Sequence, residues 1–186
     1  MRMARLMALA LPALLVMTGA AGAPVQAQEI AQADRAMIES RIAAFDAAMK
    51  AGRIEQSIDF IPPRLLRFMA EKVGLPDGRL KAMVTAQAVA AVDGMTFLSF
   101  GMDMKAAQVA ATPDKSRTYM LIPTQSVIAI PDAGKIQSKT QTLAIKDDGQ
   151  WHLVRIDNAQ QVALLRGAYP EFSGVDFPSG STAIID

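Results

Sequence analysis

The sequence is poor in the residue types that carry most enzyme chemistry. Its 186 residues include no cysteine, one histidine and one tryptophan. Without cysteine the chain cannot form a disulfide, a thiolate metal site or an iron–sulfur cluster, and it has no thiol nucleophile or thiol for lipid attachment. A single histidine cannot supply a zinc site built from several histidines. We therefore expect neither a metal site nor a cofactor.

Familiar binding motifs and charge clusters are missing as well. The sequence has no G-x-G-x-x-G fingerprint, phosphate-binding loop, H-E-x-x-H zinc motif or G-x-S-x-G nucleophile elbow. Its 19 basic and 18 acidic residues are scattered, with no basic stripe and no acidic tail. Because nucleic-acid binding leaves a concentrated positive footprint, this pattern predicts no nucleic-acid partner. It equally disfavours attachment to anionic lipid.

The N-terminus has the three parts of a secretory signal peptide. Arg2 and Arg5 precede an apolar run over residues 6–17, and small residues lead to Val25-Gln26-Ala27. The apolar run is shorter than the roughly 18–20 residues that a membrane-spanning helix requires. We expect cleavage near Ala27, a periplasmic or secreted location, and no stable membrane insertion afterwards. Residues 28–186 then form one domain.

The hydrophobic pattern changes period once along this domain. A helical period covers residues 28–93, with Pro62-Pro63 as a corner between helices, and a period of two covers residues 94–157. Asp148-Gly149 is typical of a hairpin turn. Residues 158–169 predict a helix and residues 170–186 an extended arm. The fold class is therefore α+β, with N-terminal helices packed on a curved antiparallel β-meander of about five strands, followed by a C-terminal helix and the arm.

Two details of the strands are also predicted from spacing. Leu98, Phe100, Met102 and Met104 alternate and should share one face of the first strand. Two methionine thioethers could bind Cu(I), but their apolar neighbours favour a role in the core. Pro123 lacks an N–H and fits an edge position or a bulge.

A few polar side chains are candidates for proton transfer. His152 is the only side chain whose ordinary pKa lies near neutrality, although its strand face also carries apolar residues. A catalytic pair needs a second group within hydrogen-bond reach. The available partners are Tyr119, Asp59, Asp103 and Asp157.

Other side chains are candidates for binding. Arg64 and Arg67 follow the double proline and could donate to a carboxylate, or lie on a solvated helix face. Trp151 is a further candidate. Tyr169-Pro170-Glu171-Phe172 predicts a latch in which two aromatic rings hold the C-terminal arm.

The order of elements over residues 31–169 resembles the nuclear transport factor two-like (cystatin-like) superfamily. The segments 59–67, 119–124 and 148–153 also look like those of exported bacterial proteins of unassigned function. The resemblance implies a cone-shaped fold. Its members include isomerases and dehydratases that use Tyr, Asp or His inside the cone, and many proteins that are not enzymes. No position matches those catalytic sets, so no catalytic residue is transferred to this chain.

Two functions follow as hypotheses. The first is a non-enzymatic envelope module that binds a partner protein or a small apolar ligand in the concave face of its sheet. The second is a small-pocket enzyme for proton transfer or dehydration, which requires His152, Tyr119 and one aspartate to converge on one cavity. The sequence leaves a structural role in the envelope and a homodimer open.

Overall fold

The structure is a computed structural model that describes residues 30–131 and 134–185. The expected signal peptide and its cleavage site near Ala27 lie outside the described residues. Within the described part of the chain, no helix is both long and apolar enough to cross a membrane.

Three α-helices and a short 3-10 helix form the N-terminal part of the described chain, from residue 30 onward. Helix α1 spans Gln32–Lys50, the 3-10 helix spans Ile54–Phe60, α2 spans Pro63–Val73 and α3 spans Asp77–Ala91. Pro63 occupies the first turn of α2, where its missing N–H costs no hydrogen bond. Gly74 ends α2 in the left-handed conformation, with φ of 67°. The predicted corner at the double proline is confirmed.

Six antiparallel strands of the described residues form one curled sheet. They are β1 (Thr96–Met102), β2 (Gln108–Ala111), β3 (Thr118–Ile130), β4 (Gly134–Asp147), β5 (Gln150–Ile156) and β6 (Ser181–Ile185). The two long strands β3 and β4 lie in the centre. Strand β3 pairs with β2 and then with β1, and β4 pairs with β5 and then with β6. Helix α4 (Ala159–Ala168) and a 3-10 turn (Pro170–Phe172) join β5 to the arm.

The predicted α+β class is confirmed, and two finer predictions are corrected. The sheet has six strands because the segment expected to be an extended arm adds β6 to the edge of β4. The strands also do not form a simple meander, since β1 and β2 both pair with β3. Each central strand therefore has two short neighbours placed end to end along one side.

Pro123 lies within a central strand and not at an edge of the sheet. It is opposite Gln141 of β4, and its carbonyl accepts a hydrogen bond of 2.8 Å from the Asp103 N–H on its other side. The N and O of one residue point the same way in an antiparallel ladder. The missing N–H of Pro123 therefore faces the break between β1 and β2, where the ladder is already interrupted.

A β-bulge changes the predicted face of β1. The register slips between Phe97 and Ser99, so Leu98 is an extra residue and remains 49% exposed. Phe97, and not Leu98, lies on the partly buried face of β1 with Phe100 and Met102. The prediction that Leu98 shares the face of Phe100 is wrong for this reason.

Both faces of the sheet carry a hydrophobic cluster. On the first face, α2, α4 and the Pro170–Phe172 turn cover the sheet, and the fully buried members of the cluster include Leu143, Ile145, Ile156, Leu165, Tyr169 and Phe172. On the second face, α1 and the first 3-10 helix contribute Ile38 and Phe60 to a cluster with Met120, Ile122, Ala144, Trp151 and Leu153. The helix-covered part of the first face is therefore filled by side chains.

Candidate functional site

An open groove crosses the sheet at the two breaks between its short strands. It has a volume of about 590 Å³ and lies between the β1–β2 break on one side and the β5–β6 break on the other. Its walls come from β1, β3, β4 and the C-terminal arm: Gly101, Met102, Asp103, Pro123, Thr124, Gln125, Lys139, Thr140, Gln141, Ser179 and Ser181. No helix supplies a residue of this lining.

The register explains how separate strands build the floor of the groove. Gly101 is opposite Gln125, Gln125 is opposite Lys139, and Lys139 is opposite Ser181. Directly opposite residues share a face, so one row presents an amide, an ammonium and a hydroxyl to the same side. With Gln141 next along β4, the floor is polar. Such a floor suits a ligand with hydrogen-bonding groups better than a small apolar one.

Asp103 is the one predicted catalytic candidate that lines this groove. Its Oδ1 accepts hydrogen bonds of 2.9 Å and 3.2 Å from the backbone N–H groups of Lys105 and Ala106. These contacts fix the turn that follows β1. The Asp103 side chain therefore has a structural role at the end of the groove.

The other two aspartates lie elsewhere. The Asp59 carboxylate is 57% exposed and pairs with Lys81 at 2.7 Å. Asp157 pairs with Arg155 at 2.8 Å and accepts a hydrogen bond from the Asn158 side chain, next to the start of α4. Neither aspartate lines the groove.

Tyr119 and His152 are buried on the same face but are not adjacent. Tyr119 is opposite Ile145, which is opposite His152, so the three side chains form one row across β3, β4 and β5. Neighbouring strands are about 4.8 Å apart, which places the two backbones roughly 10 Å from each other. Burial alone raises the pKa of the Tyr119 phenol. The structure does not bring this pair to one cavity.

The binding candidates also have structural partners. The Arg64 guanidinium lies 4.7 Å from the centre of the Tyr169 ring, a cation–π contact. Arg67 is exposed on α2. Trp151 is buried, and its indole N–H donates to Asp34 Oδ1 at 2.9 Å. Of these three side chains, only Arg67 is left open to solvent without a ring or hydrogen-bond role.

A buried polar cluster, formed by Asp147, His152 and Tyr169, lies near the β4–β5 hairpin. Tyr169 is fully buried, Asp147 is 9% exposed and His152 is 8% exposed. The atoms Asp147 Oδ2, His152 Nδ1 and the Tyr169 hydroxyl have no hydrogen-bond partner among the described protein groups. Burial, followed by the neighbouring Asp147 carboxylate, raises the pKa of Tyr169 far above its usual value.

One ion pair, between Arg117 and Glu171, lies beside this cluster. The Arg117 guanidinium lies 5.0 Å from the Tyr169 ring centre, pairs with Glu171 at 2.8 Å and donates to the Lys146 carbonyl. The sequence does not predict that Asp147 and Tyr169 are buried. Tyr169 is nevertheless one of the two aromatic residues of the predicted latch. None of the three cluster residues lines the groove. The cluster is therefore separate from the groove.

The methionine pair packs into the second face. Met102 and Met104 lie against the cluster that contains Ile38 and Phe60, as the core interpretation predicts. Met102 also lines the groove. Within residues 30–131 and 134–185, no group of three or more His, Asp or Glu side chains is placed to hold a metal ion.

We expect protonation of His152 to destabilise the fold. Burial, and then the charge of Arg41, lower the pKa of His152 below its ordinary 6.5, while Asp147, the Phe60 carbonyl and Asp148 oppose this shift. As the pH falls below about 6.5, the unfolded chain binds a proton that the folded chain resists, so the free energy of unfolding decreases.

Urea denaturation at pH 7.5, 6.5 and 5.5 measures this effect. The His152→Gln variant should show a smaller loss of stability over the same range, because glutamine does not titrate. If the free energy of unfolding falls equally with pH in the two proteins, His152 is not responsible for the pH dependence.

Comparison with known proteins gives no relative: no family model, no curated protein and no solved structure matches this chain. Membership of the nuclear transport factor two-like superfamily therefore stays a prediction from element order.

Proposed function

We propose that this chain is an exported, non-catalytic binding module that takes an extended segment of a partner protein into the groove. The observation that carries the proposal is the groove itself, about 590 Å³ in volume and open along a polar floor. Export is proposed from the signal-peptide pattern of residues 1–27.

The chemistry of the lining supports a peptide over a small apolar ligand. Gln125 and Gln141 have amides that can both donate to and accept from peptide groups. Lys139 can pair with a carboxylate of the ligand. Pro123 adds limited apolar surface beside these groups. An extended chain offers alternating peptide donors and acceptors that such a floor can satisfy.

The placement of the titratable side chains supports binding over catalysis. Acid–base catalysis needs a positioned pair of groups around one reacting atom. Tyr119 and His152 are separated by a strand, and Asp103 faces the groove without either of them. The alternative of an isomerase- or dehydratase-like enzyme therefore has less support than a binding module.

Selection from a library of random linear peptides tests the proposal. The bait is the chain from residue 28 to 186, and the groove variant is Gln125→Trp, which places an indole on the floor. We expect enriched peptides to bind this variant at least about tenfold more weakly than the unmodified chain, a loss of about 1.4 kcal/mol.

Gln150→Trp is the matched control, because Gln150 is an exposed strand residue outside the groove. Its affinity for the same peptides should be unchanged. The proposal is wrong if no peptide is enriched, or if the enriched peptides bind both variants equally well.

A further inference from the structure

We infer that β6 is a self-association edge, at which a second copy of this chain adds its own β6 in antiparallel orientation. Strand β6 pairs with β4 from Lys135↔Ile185 to Lys139↔Ser181. Its other side has no strand partner among the described residues. The inference does not rest on the groove function, because it is argued from the edge of the sheet; β6 shares Ser181 with the groove lining.

The β6 edge lacks the features that normally prevent strands from associating. Edges are usually protected by charged residues, proline or bulges. Strand β1 has the bulge at Leu98, and β5 carries Arg155 and contacts the first 3-10 helix. By contrast, β6 has the sequence Ser-Thr-Ala-Ile-Ile, with regular register and no charge or proline.

A row of apolar side chains also ends at this edge. Phe97, Ile128, Ile136 and Ile184 are opposite one another across β1, β3, β4 and β6. The first three are partly buried, whereas Ile184 is 78% exposed, more than any other large hydrophobic residue of the described chain. The row therefore runs into solvent at β6, where a neighbouring strand would cover Ile184.

The five residues of β6 are complementary to themselves. A twofold axis through Ala183 places Thr182 opposite Ile184 of the partner subunit and Ser181 opposite the partner's Ile185. No like charges face each other, and the residue at the axis has a small side chain. Such an isologous contact closes at two copies. The axis is perpendicular to the sheet, so both grooves lie on the same side of the joined sheet.

The size of this contact predicts a reversible dimer. Pairing of two five-residue strands buries less than the roughly 1,200 Å² of a stable interface. We therefore expect monomer at low protein concentration and dimer at high concentration, measured by sedimentation velocity of the chain from residue 28 to 186.

Ile184→Lys should weaken the dimer at least about tenfold, because it puts a charge on the pairing edge and removes the apolar contact. Leu98→Lys is the matched control, since Leu98 is also an exposed apolar residue but lies on the bulged β1. A monomer at every concentration would overturn the inference. So would a dimer that Leu98→Lys disrupts and Ile184→Lys does not.

A cross-linking experiment tests the register directly. The chain has no cysteine, so Ala183→Cys introduces the only thiol. Facing residues in an antiparallel pair have Cα atoms about 4.5–5.5 Å apart, within the range of a disulfide. Mild oxidation should give a disulfide-linked dimer of Ala183→Cys and leave Leu98→Cys monomeric. Faster linkage of the Leu98→Cys variant contradicts the β6 contact, and circular dichroism confirms that both variants are folded.

Discussion

Replacing Phe172 by alanine is expected to lower the free energy of unfolding by about 3–5 kcal/mol. Phe172 is fully buried. Its ring lies among three others, with centres 5.2 Å from Tyr119, 6.4 Å from Tyr169 and 6.0 Å from Phe177. Removing it leaves a cavity between the sheet and the beginning of the arm. Urea denaturation followed by circular dichroism measures the loss.

Phe177→Ala is the control for this prediction. Phe177 lies on the same arm but is only partly buried. Replacing it by alanine should therefore lower the free energy of unfolding distinctly less than replacing Phe172. Equal losses for the two variants would contradict the prediction that the fully buried Phe172 contributes more to the stability than Phe177.

The position of Phe172 connects the latch with β6. After the Pro170–Phe172 turn, the arm crosses the end of β5, where the Gly180 N–H donates to the Asp157 carbonyl at 3.0 Å. A Cβ at Gly180 would lie 2.8 Å from the Asp157 Cβ, so the close approach requires glycine. The predicted latch at residues 169–172 therefore sets the path by which the chain reaches the edge of β4.

Local signals in the sequence were sufficient for most elements. Strand β3, Thr118–Ile130, lies within residues 94–157, where the period of two predicts strands. Asp148 and Gly149 have φ of 47° and 76°, which a two-residue hairpin turn of this kind requires. The Asn158 side chain accepts from the Gln161 N–H at 3.0 Å and so caps α4 at the first residue of the helix predicted over residues 158–169. Each of these depends on residues close together in the chain.

Features that depend on distant pairing were not predictable. Residues 181–185 have no alternating pattern and become a strand only because the edge of β4 is free beyond β5. The sequence predicts an edge position or a bulge for Pro123, because the break between β1 and β2 cannot be seen in the sequence of β3. The groove has the same origin, since its lining comes from three strands and the arm, with no local motif.

Replacing Trp151 by alanine should also lower the free energy of unfolding, by about 3–5 kcal/mol. The indole is 3% exposed within the second-face cluster. Its N–H donates to Asp34 Oδ1 at 2.9 Å, and Lys146 Nζ donates to the same oxygen at 2.8 Å. The Lys146 hydrogen bond and then that of Trp151 lower the pKa of Asp34 below its ordinary 3.8. Trp151 of β5 and Lys146 of β4 thereby both join α1 to the sheet.

A double-mutant cycle separates this hydrogen bond from the packing of the indole. Trp151→Phe keeps most of the ring but removes the donor, and Asp34→Ala removes the acceptor. We expect a coupling of about 0.5–1.5 kcal/mol between the two changes, measured by urea denaturation with circular dichroism, because the chain has no other tryptophan to report by fluorescence. A coupling of zero would mean that the hydrogen bond between Trp151 and Asp34 adds nothing to the stability, and the loss in Trp151→Ala would then be unchanged by Asp34→Ala.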